Sequence, residues 1–232
     1  MPVSLDISDG LATLTFDAPP ANAVDIDFTE ALIARLDTLR AMSGVGAAIV
    51  TGAGRAFCAG VNLKVVPGYD AEAKRVMVGN INRMASALYA LPFPVVAAVN
   101  GPAIGGGMVL AMACDFRVAA REHARFALAE VAANIPYPAV PLIVLEDSLD
   151  PSVRRDLMLT GRILDANGAT AMRIVDHVVE VGALLDAARM MATTLAKAPG
   201  YARVKAQLRA PALTRMRAVI ERGDDPMLEE WI

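Results

Sequence analysis

The sequence predicts an α/β fold, with strands and helices in the first part of the chain and helices in the second. Strand-like and helix-like segments alternate over residues 1–150, a pattern typical of a sheet with parallel strands. From residue 151 to 232 the pattern is helical. The 232 residues are 55% hydrophobic and 20% charged, which excludes a disordered chain. We therefore expect one core domain over 1–150 and a helical appendage over 151–232.

The first elements are a hairpin, a helix and a strand. Apolar and polar side chains alternate over residues 4–16 around the turn pair Asp9-Gly10, which indicates a β-hairpin. Residues 27–42 carry apolar side chains at helical spacing, with Asp27 as the expected N-terminal cap. A short apolar strand follows over residues 47–51.

Further elements follow in the same alternation. Residues 71–91 read as a helix, and the β-branched, uncharged residues 95–100 read as a strand covered on both faces. A helix is expected to begin at the glycines near position 105 and to end at about Cys114. Two more short strands are predicted over residues 115–119 and 126–129.

The second region is predicted to be helical and, at its end, basic. Residues 197–222 carry seven Lys and Arg residues but one acid, Glu221. Such a face is usually solvated, although it could also contact phosphate or a neighbouring subunit. The four predicted helices cover residues 152–159, 165–173, 183–197 and 201–222.

Composition excludes several classes of protein. The net charge of −3 argues against nucleic-acid binding. The chain has two Cys and two His, and their spacing fits no zinc motif. Residues 1–10 lack the basic start and apolar core of a signal peptide. The uncharged residues 91–114 contain prolines and glycines that would break a membrane-spanning helix. We therefore expect a cytoplasmic protein without a membrane or nucleic-acid partner and without a bound metal.

Two segments concentrate glycine directly after a predicted strand, residues 52–60 and 101–107. Neither matches a dinucleotide-binding fingerprint or a P-loop. Glycines let a ligand approach the backbone, and amides at a helix N-terminus are unpaired in a positive local potential. Two such amides aimed at one point would hold an oxyanion. Tight strand–helix packing would explain the same glycines, so both interpretations stay open.

Six motifs occur in order over about residues 5–180. They are PANAV (20–24), VTGAGRAFCAGVNL (50–63), PVVAAVNGPAIGGG (94–107), CDFRV (114–118), FALAE (126–130) and LTG (159–161). Their combination resembles the crotonase superfamily, the enoyl-CoA hydratases and isomerases.

This resemblance implies a spiral of ββα units, with C-terminal helices that build a homotrimer or homohexamer. It implies an acyl-CoA thioester as substrate and no separate cofactor, since CoA is part of the substrate. The amides matching the family's oxyanion hole belong to Val61 and Gly106. Asn62 replaces the aspartate that the family usually carries there, so a charge is missing. The positions matching the family's CoA and acyl contacts are Ala21, Ala23, Val24, Ala59, Asn62, Leu63 and Ile104.

Val109 marks the main departure from the family. The hydratases carry a glutamate there, three residues after the middle glycine, and a second glutamate at the position of Glu130. One carboxylate can still take a proton from C2 and return it at C4. The resemblance therefore implies a 3-enoyl-CoA isomerase, with Glu130 as a solitary proton shuttle and Val61 and Gly106 as the oxyanion hole. Apolar neighbours such as Val109 and Ile135 are expected to raise the pKa of Glu130.

Other functions stay open on the sequence. A hydratase or another acyl-CoA lyase would need a different group to hold water, such as the side chain of Asn134. A non-catalytic acyl-CoA binding protein would need neither, and Glu130 would then form a salt bridge at the rim. Cys58 lies in a glycine loop, but a small buried cysteine is commoner than a nucleophile.

Overall fold

The computed structural model describes residues 1–231, except for the side chain of Glu230. The strands are β1 (Val3–Ser8), β2 (Leu11–Phe16), β3 (Ala47–Gly52), β4 (Val95–Val99), β5 (Pro102–Ile104), β6 (Phe116–Ala120), β7 (Arg125–Ala127), β8 (Leu164–Asp165) and β9 (His177–Val179). The α-helices are α1 (Ile26–Ala41), α2 (Ala71–Tyr89), α3 (Gly106–Ala113), α4 (Glu130–Ala133), α5 (Ala139–Ser148), α6 (Pro151–Thr160), α7 (Ala166–Ala171), α8 (Leu184–Ala196), α9 (Tyr201–Arg222) and α10 (Met227–Trp231). No helix in the described range is long and apolar enough to cross a bilayer.

The strands form two sheets, and the α/β fold class is confirmed. The larger sheet has the order β1-β2-β3-β4-β6-β9 and is parallel apart from the β1–β2 hairpin. The smaller sheet has the order β5-β7-β8, with β5 parallel to β7 and β8 antiparallel to it. β5 and β7 follow β4 and β6 of the larger sheet through short loops, whereas β8 follows α6. A parallel bridge between Cys58 and Ala103 joins the loop after β3 to β5.

Helices cover both faces of the larger sheet, which explains the continuous apolar runs of β3 and β4. On one face, Ile49 and Val96 pack with Ala188 and Ala192 of α8. The alternate side chains belong to the main core, together with α1, α2, α3 and α5. The burial pattern of β3 and β4 therefore reflects two covered faces rather than one solvated face.

Several predicted boundaries were wrong in detail. The N-terminal cap of α1 is Asp25, whose Oδ1 accepts from the Phe28 amide at 3.0 Å, and Asp27 lies in the first turn. The second region is not wholly helical, because β8 and β9 each join a sheet. Strands of two or three residues are too short to show an alternating pattern, so periodicity could not reveal them.

The basic helix α9 is anchored in the core by two of its cations. Lys205 Nζ lies 2.7 Å from Asp115 Oδ2, and an Arg209 guanidinium nitrogen lies 2.8 Å from Asp115 Oδ1. Lys205 also donates to the carbonyl of Phe93 at 2.8 Å, and Arg209 lies over the Tyr89 ring. The expectation of a solvated basic face was therefore wrong for these two residues.

Candidate active site

The loop after β3 is held in place by two asparagines. Asn22, from the first motif, donates from Nδ2 to the carbonyl of Ala56 at 2.8 Å. Its Oδ1 accepts from the amide of Ala18, so both polar atoms of the Asn22 side chain are hydrogen-bonded to backbone groups. Asn100, at the end of β4, accepts from the amide of Gly52 at 3.1 Å. These bonds fix the loop that carries residues 59–63 against the strand ends.

The glycines of the second loop are explained by close packing within the protein, one of the two interpretations that the sequence left open. A Cβ on Gly107 would lie 2.0 Å from the carbonyl oxygen of Cys58, so only glycine permits this loop packing. Gly105 has a φ of +52°, which favours glycine, and a Cβ there would lie 3.0 Å from Glu130 Oε1. Tight packing thus accounts for Gly107, and close approach to the carboxylate accounts for Gly105.

Val61 and Gly106 line the same two hollows of the structure, and no hydrogen bond from the backbone amide of either residue is found in the described part of the chain. Val24 forms a parallel bridge with Val61 through the carbonyl of Gly60 and the amide of Asn62, both at 2.8 Å. In such a bridge the amide of Val61 itself faces away from Val24. Gly106 is the first residue of α3, where amides have no helical acceptor. Among the described residues neither amide has a hydrogen-bond acceptor, so the pair is available to a ligand oxygen.

Two hollows meet at Val61, Gly106, Glu130 and Ile135, the four residues that line both. The first, here called the inner pocket, encloses about 510 Å³ of empty space including the solvent at its mouth. The second, here called the outer groove, encloses about 400 Å³ on the same basis. The inner pocket is lined by Val61, Ile81, Met84, Ala85, Gly106, Val109, Leu110, Glu130, Ile135, Pro136, Tyr137, Pro138, Pro141, Met227 and Trp231. The outer groove is lined by Ala59, Gly60, Val61, Leu63, Ile104, Gly105, Gly106, Ala129, Glu130, Ala133 and Ile135.

Glu130 is the carboxylate at this junction. It begins α4, and its Oε2 is buried without a hydrogen-bond partner among the described residues. Burial raises the pKa of Glu130, and the nearby hydroxyl of Tyr137 acts in the opposite direction. Val109 and Ile135 line the same pocket, in accordance with the apolar surroundings expected for this carboxyl.

Tyr137 is the pocket residue that sequence reasoning missed. Its hydroxyl is buried and faces the inner pocket, but it completes no hydrogen bond within the described chain. The expectation that Glu130 would be a solitary ionisable group at the cradle was therefore wrong. Burial raises the pKa of Tyr137 further above its usual range, and the charge of Glu130 adds to this effect, so the phenol stays neutral. No local signal in the sequence marks this tyrosine, which stands between two prolines seven residues after Glu130.

The predicted CoA and acyl contacts divide into two groups. Ala59, Leu63 and Ile104 line the outer groove together with Glu130. The remaining four lie in or beside the loop after β3, but they line neither hollow. These are Ala21, whose carbonyl accepts from the Ala59 amide, and Ala23, Val24 and Asn62.

Two further candidates take no part in the site. Burial raises the pKa of the Cys58 thiol to about 12, so at neutral pH it holds its proton and is a poor nucleophile. Asn134 is exposed at the end of α4 and lines neither hollow. The described residues thus offer one carboxylate, one neutral phenol and two unpaired backbone amides in an apolar setting. That set can move a proton beside a carbonyl whose developing negative charge the amides would hold.

One family model and several curated proteins are similar to this chain. The family model for enoyl-CoA hydratase/isomerase matches residues 6–230. A putative enoyl-CoA hydratase of Thermus thermophilus is 35% identical over 83% of this chain and 77% of its own length. A carnitinyl-CoA dehydratase of Salmonella arizonae is 37% identical over 78% of this chain and 69% of its own.

Solved structures are similar over nearly the whole chain. A probable enoyl-CoA hydratase of Mycobacterium tuberculosis has a TM-score of 0.88 at 29% identity and covers 95% of this chain and 94% of its own. A second structure of that mycobacterial protein is described as an enoyl-CoA isomerase in its apo form. Its TM-score is 0.86 at 28% identity, with 96% and 97% of the two chains covered. The relatives thus carry both hydratase and isomerase names.

Proposed function

The chain belongs to the enoyl-CoA hydratase/isomerase family, and from that premise we propose that it is an isomerase. It moves a double bond of an acyl-CoA from C3=C4 to C2=C3. The observation that carries this proposal is that Glu130 is the one carboxylate among the described residues lining the inner pocket and the outer groove. Val109, where the family's hydratases carry a second glutamate, contributes only an apolar side chain to the inner pocket.

The proposed reaction uses the junction of the two hollows. The thioester oxygen lies at the amides of Val61 and Gly106, and the acyl chain extends into the apolar inner pocket. Glu130 takes a proton from C2, and the electron pair of that bond forms the enolate, whose oxygen the two amides hold. Glu130 then delivers the proton to C4 while the enolate collapses to the C2=C3 double bond. The carboxylate is regenerated, and no other reactant is consumed.

The raised pKa of Glu130 suits both halves of this cycle. A carboxylate in an apolar pocket is a stronger base, because burial disfavours its charged form. The reaction requires the ionised form at the start, so activity should fall as the pH drops through this raised pKa.

The test compares wild type with Glu130→Gln on a 3-enoyl-CoA and on the matching 2-enoyl-CoA, with chromatographic analysis of the products. A positioned general acid–base group contributes about 10²–10⁴-fold, so isomerisation should fall at least about 100-fold in Glu130→Gln. Glu72→Gln, at an exposed glutamate of α2, is the matched control and should leave the rate unchanged. Wild-type protein that hydrates the 2-enoyl-CoA but does not isomerise the 3-enoyl-CoA would overturn the proposal.

A hydratase is the second candidate, and the buried hydroxyl of Tyr137 is the observation that favours it. Hydration needs a polar group that holds a water beside C3, and Asn134 is too exposed for this role. Tyr137 faces the pocket and could accept that role opposite Glu130. The 2-enoyl-CoA arm of the same assay decides between the two, because only a hydratase forms a 3-hydroxyacyl product.

A further inference from the structure

Two polar atoms in the inner pocket are buried without hydrogen-bond partners in the described chain. They are Glu130 Oε2 and the hydroxyl oxygen of Tyr137. An unsatisfied buried polar group costs about 1–3 kcal/mol, and native proteins contain few of them. Two at one place, both facing the same apolar cavity, therefore require an explanation in terms of what the pocket does.

The two groups are held near one another by a short, stiff connection. Tyr137 lies between Pro136 and Pro138, whose rings fix the backbone on either side. Pro138 caps α5, and the first two amides of that helix donate to Asp225 Oδ2 at 2.8 Å and to Asn82 Oδ1 at 3.0 Å. The segment that carries Tyr137 is thus fixed at its far end to α2 and to the turn before α10. The phenol has little freedom to leave the pocket.

The hydroxyl and the carboxyl line the same pocket, both shielded from water, and in the free protein each already changes the proton affinity of the other. The alignment of this contact falls short of an ideal hydrogen bond. Catalytic hydrogen bonds are often poorly aligned before substrate binds and tighten in the complex. This approach is therefore of the kind expected between a base and the residue that orients it.

We propose that Tyr137 is a positioning residue for Glu130, whose hydroxyl donates to the carboxylate and selects the oxygen that takes the substrate proton. The inference rests on the proposed proton shuttle and adds a second residue to it. The phenol does not titrate near neutral pH, so it acts as a permanent donor and not as a second base. A hydrogen bond to the charged form of Glu130 opposes the effect of burial, so Tyr137 sets how readily the carboxyl ionises.

No other titratable side chain among the described residues faces this pair. The two hollows are lined by aliphatic side chains, prolines, glycines, methionines and Trp231 apart from Glu130 and Tyr137. The described residues that α2, α3, α5 and α10 contribute to this lining are all uncharged. Replacing the phenol by phenylalanine therefore removes a single interaction from the carboxyl.

The first test is the pH dependence of kcat/KM for isomerisation in wild type, Tyr137→Phe and Tyr201→Phe. Loss of the hydrogen bond raises the pKa of Glu130, so in Tyr137→Phe the acidic limb should move to higher pH. The plateau should fall about tenfold, the equivalent of one hydrogen bond to a charged group. Tyr201→Phe removes a hydroxyl near Asp115, away from the pocket, and should leave the limb in place. An unmoved limb in Tyr137→Phe would refute the positioning role, even with a lower rate.

The second test needs no reaction, which separates this inference from the proposed function. The ionisation of Glu130 is followed in the free protein by infrared titration of its carboxyl band, with Glu130→Gln as the blank. The pKa read in this way should be higher in Tyr137→Phe than in wild type. A shift in a protein that does not isomerise would sink the proposed function and keep the role of Tyr137. Equal values in the two proteins would sink that role, whatever the activity.

Discussion

Two buried carboxylates of this protein differ in how many hydrogen-bond partners they have. Asp115, the residue before β6, accepts from the amide of Val95 at 2.8 Å, from Lys205 at 2.7 Å and from Arg209 at 2.8 Å. Glu130, at the start of α4, has an oxygen with no partner in the described chain. Both groups are largely removed from water, so burial by itself does not distinguish them.

The difference shows how function can be recognised in a buried acid. Asp115 accepts hydrogen bonds from α9 and from the start of β4, so this carboxylate holds the two elements together. The acceptor capacity of Glu130 is left open toward a cavity where two amides are also unpaired. A buried carboxylate without partners lowers the stability of the fold, and such groups are more often found at functional sites than elsewhere.

The largest effect expected from this comparison is loss of stability in Asp115→Asn. The change leaves Lys205 and Arg209 buried without their counter-charge, and breaking a buried ion pair in this way costs about 3–5 kcal/mol. Urea denaturation measures this as a lower free energy of unfolding. Asp156→Asn, in the exposed pair with Arg162, is the matched control and should cost less than about 1 kcal/mol. Equal losses in the two variants would remove the distinction between the anchor and a surface pair.

The second expected effect has the opposite sign. Glu130→Gln removes an unpartnered buried charge, so at neutral pH it should raise the free energy of unfolding, by about 1 kcal/mol. The pKa of Glu130 is raised in the folded protein, so the wild type loses stability as the pH rises through that pKa. The gain should therefore be present at pH 7.5 and absent at pH 4, as followed by urea denaturation at both. A loss of stability in Glu130→Gln would mean that Glu130, like Asp115, serves the fold.

The smallest effect concerns the pH dependence of the anchor. Burial lowers the pKa of Lys205 to about 8, although Asp115 acts in the opposite direction. In the unfolded chain the pKa is about 10.4, so between these values the unfolded chain binds more protons and stability rises with pH. From pH 8 to 8.5 the wild type should gain about 0.5 kcal/mol in free energy of unfolding relative to Lys205→Met. The matched control is Lys197→Met, at an exposed lysine, and a slope no larger than its own would contradict the prediction.

Much of the fold could be predicted from local sequence. The hairpin at Asp9-Gly10, the buried strand β4 and the helix α9 lie where their patterns place them. Helix α5 was missed because it is apolar around most of its circumference and carries Pro141 in its first turn. Its sequence therefore shows neither helical periodicity nor a cap.

The candidate site was predictable in part. Val61, Gly106 and Glu130 were named from motifs, and the structure brings them to one junction. Their roles stay predictions until the assays above are done. Tyr137 was not found, because a tyrosine in a proline-flanked loop has no local pattern that marks it as facing a carboxylate.

The sequence by itself determined the strands and helices with strong periodicity, the glycines of the two loops, and the residue types where the inner pocket meets the outer groove. These depend on neighbours in the chain or on motifs with fixed spacing. Only the tertiary structure decided which buried acid is satisfied and which is not. Lys205 reaches Asp115 from 90 residues away, whereas no described partner completes a bond to Glu130 Oε2. Partners so distant in sequence are set by the packing of whole elements, which no local pattern encodes.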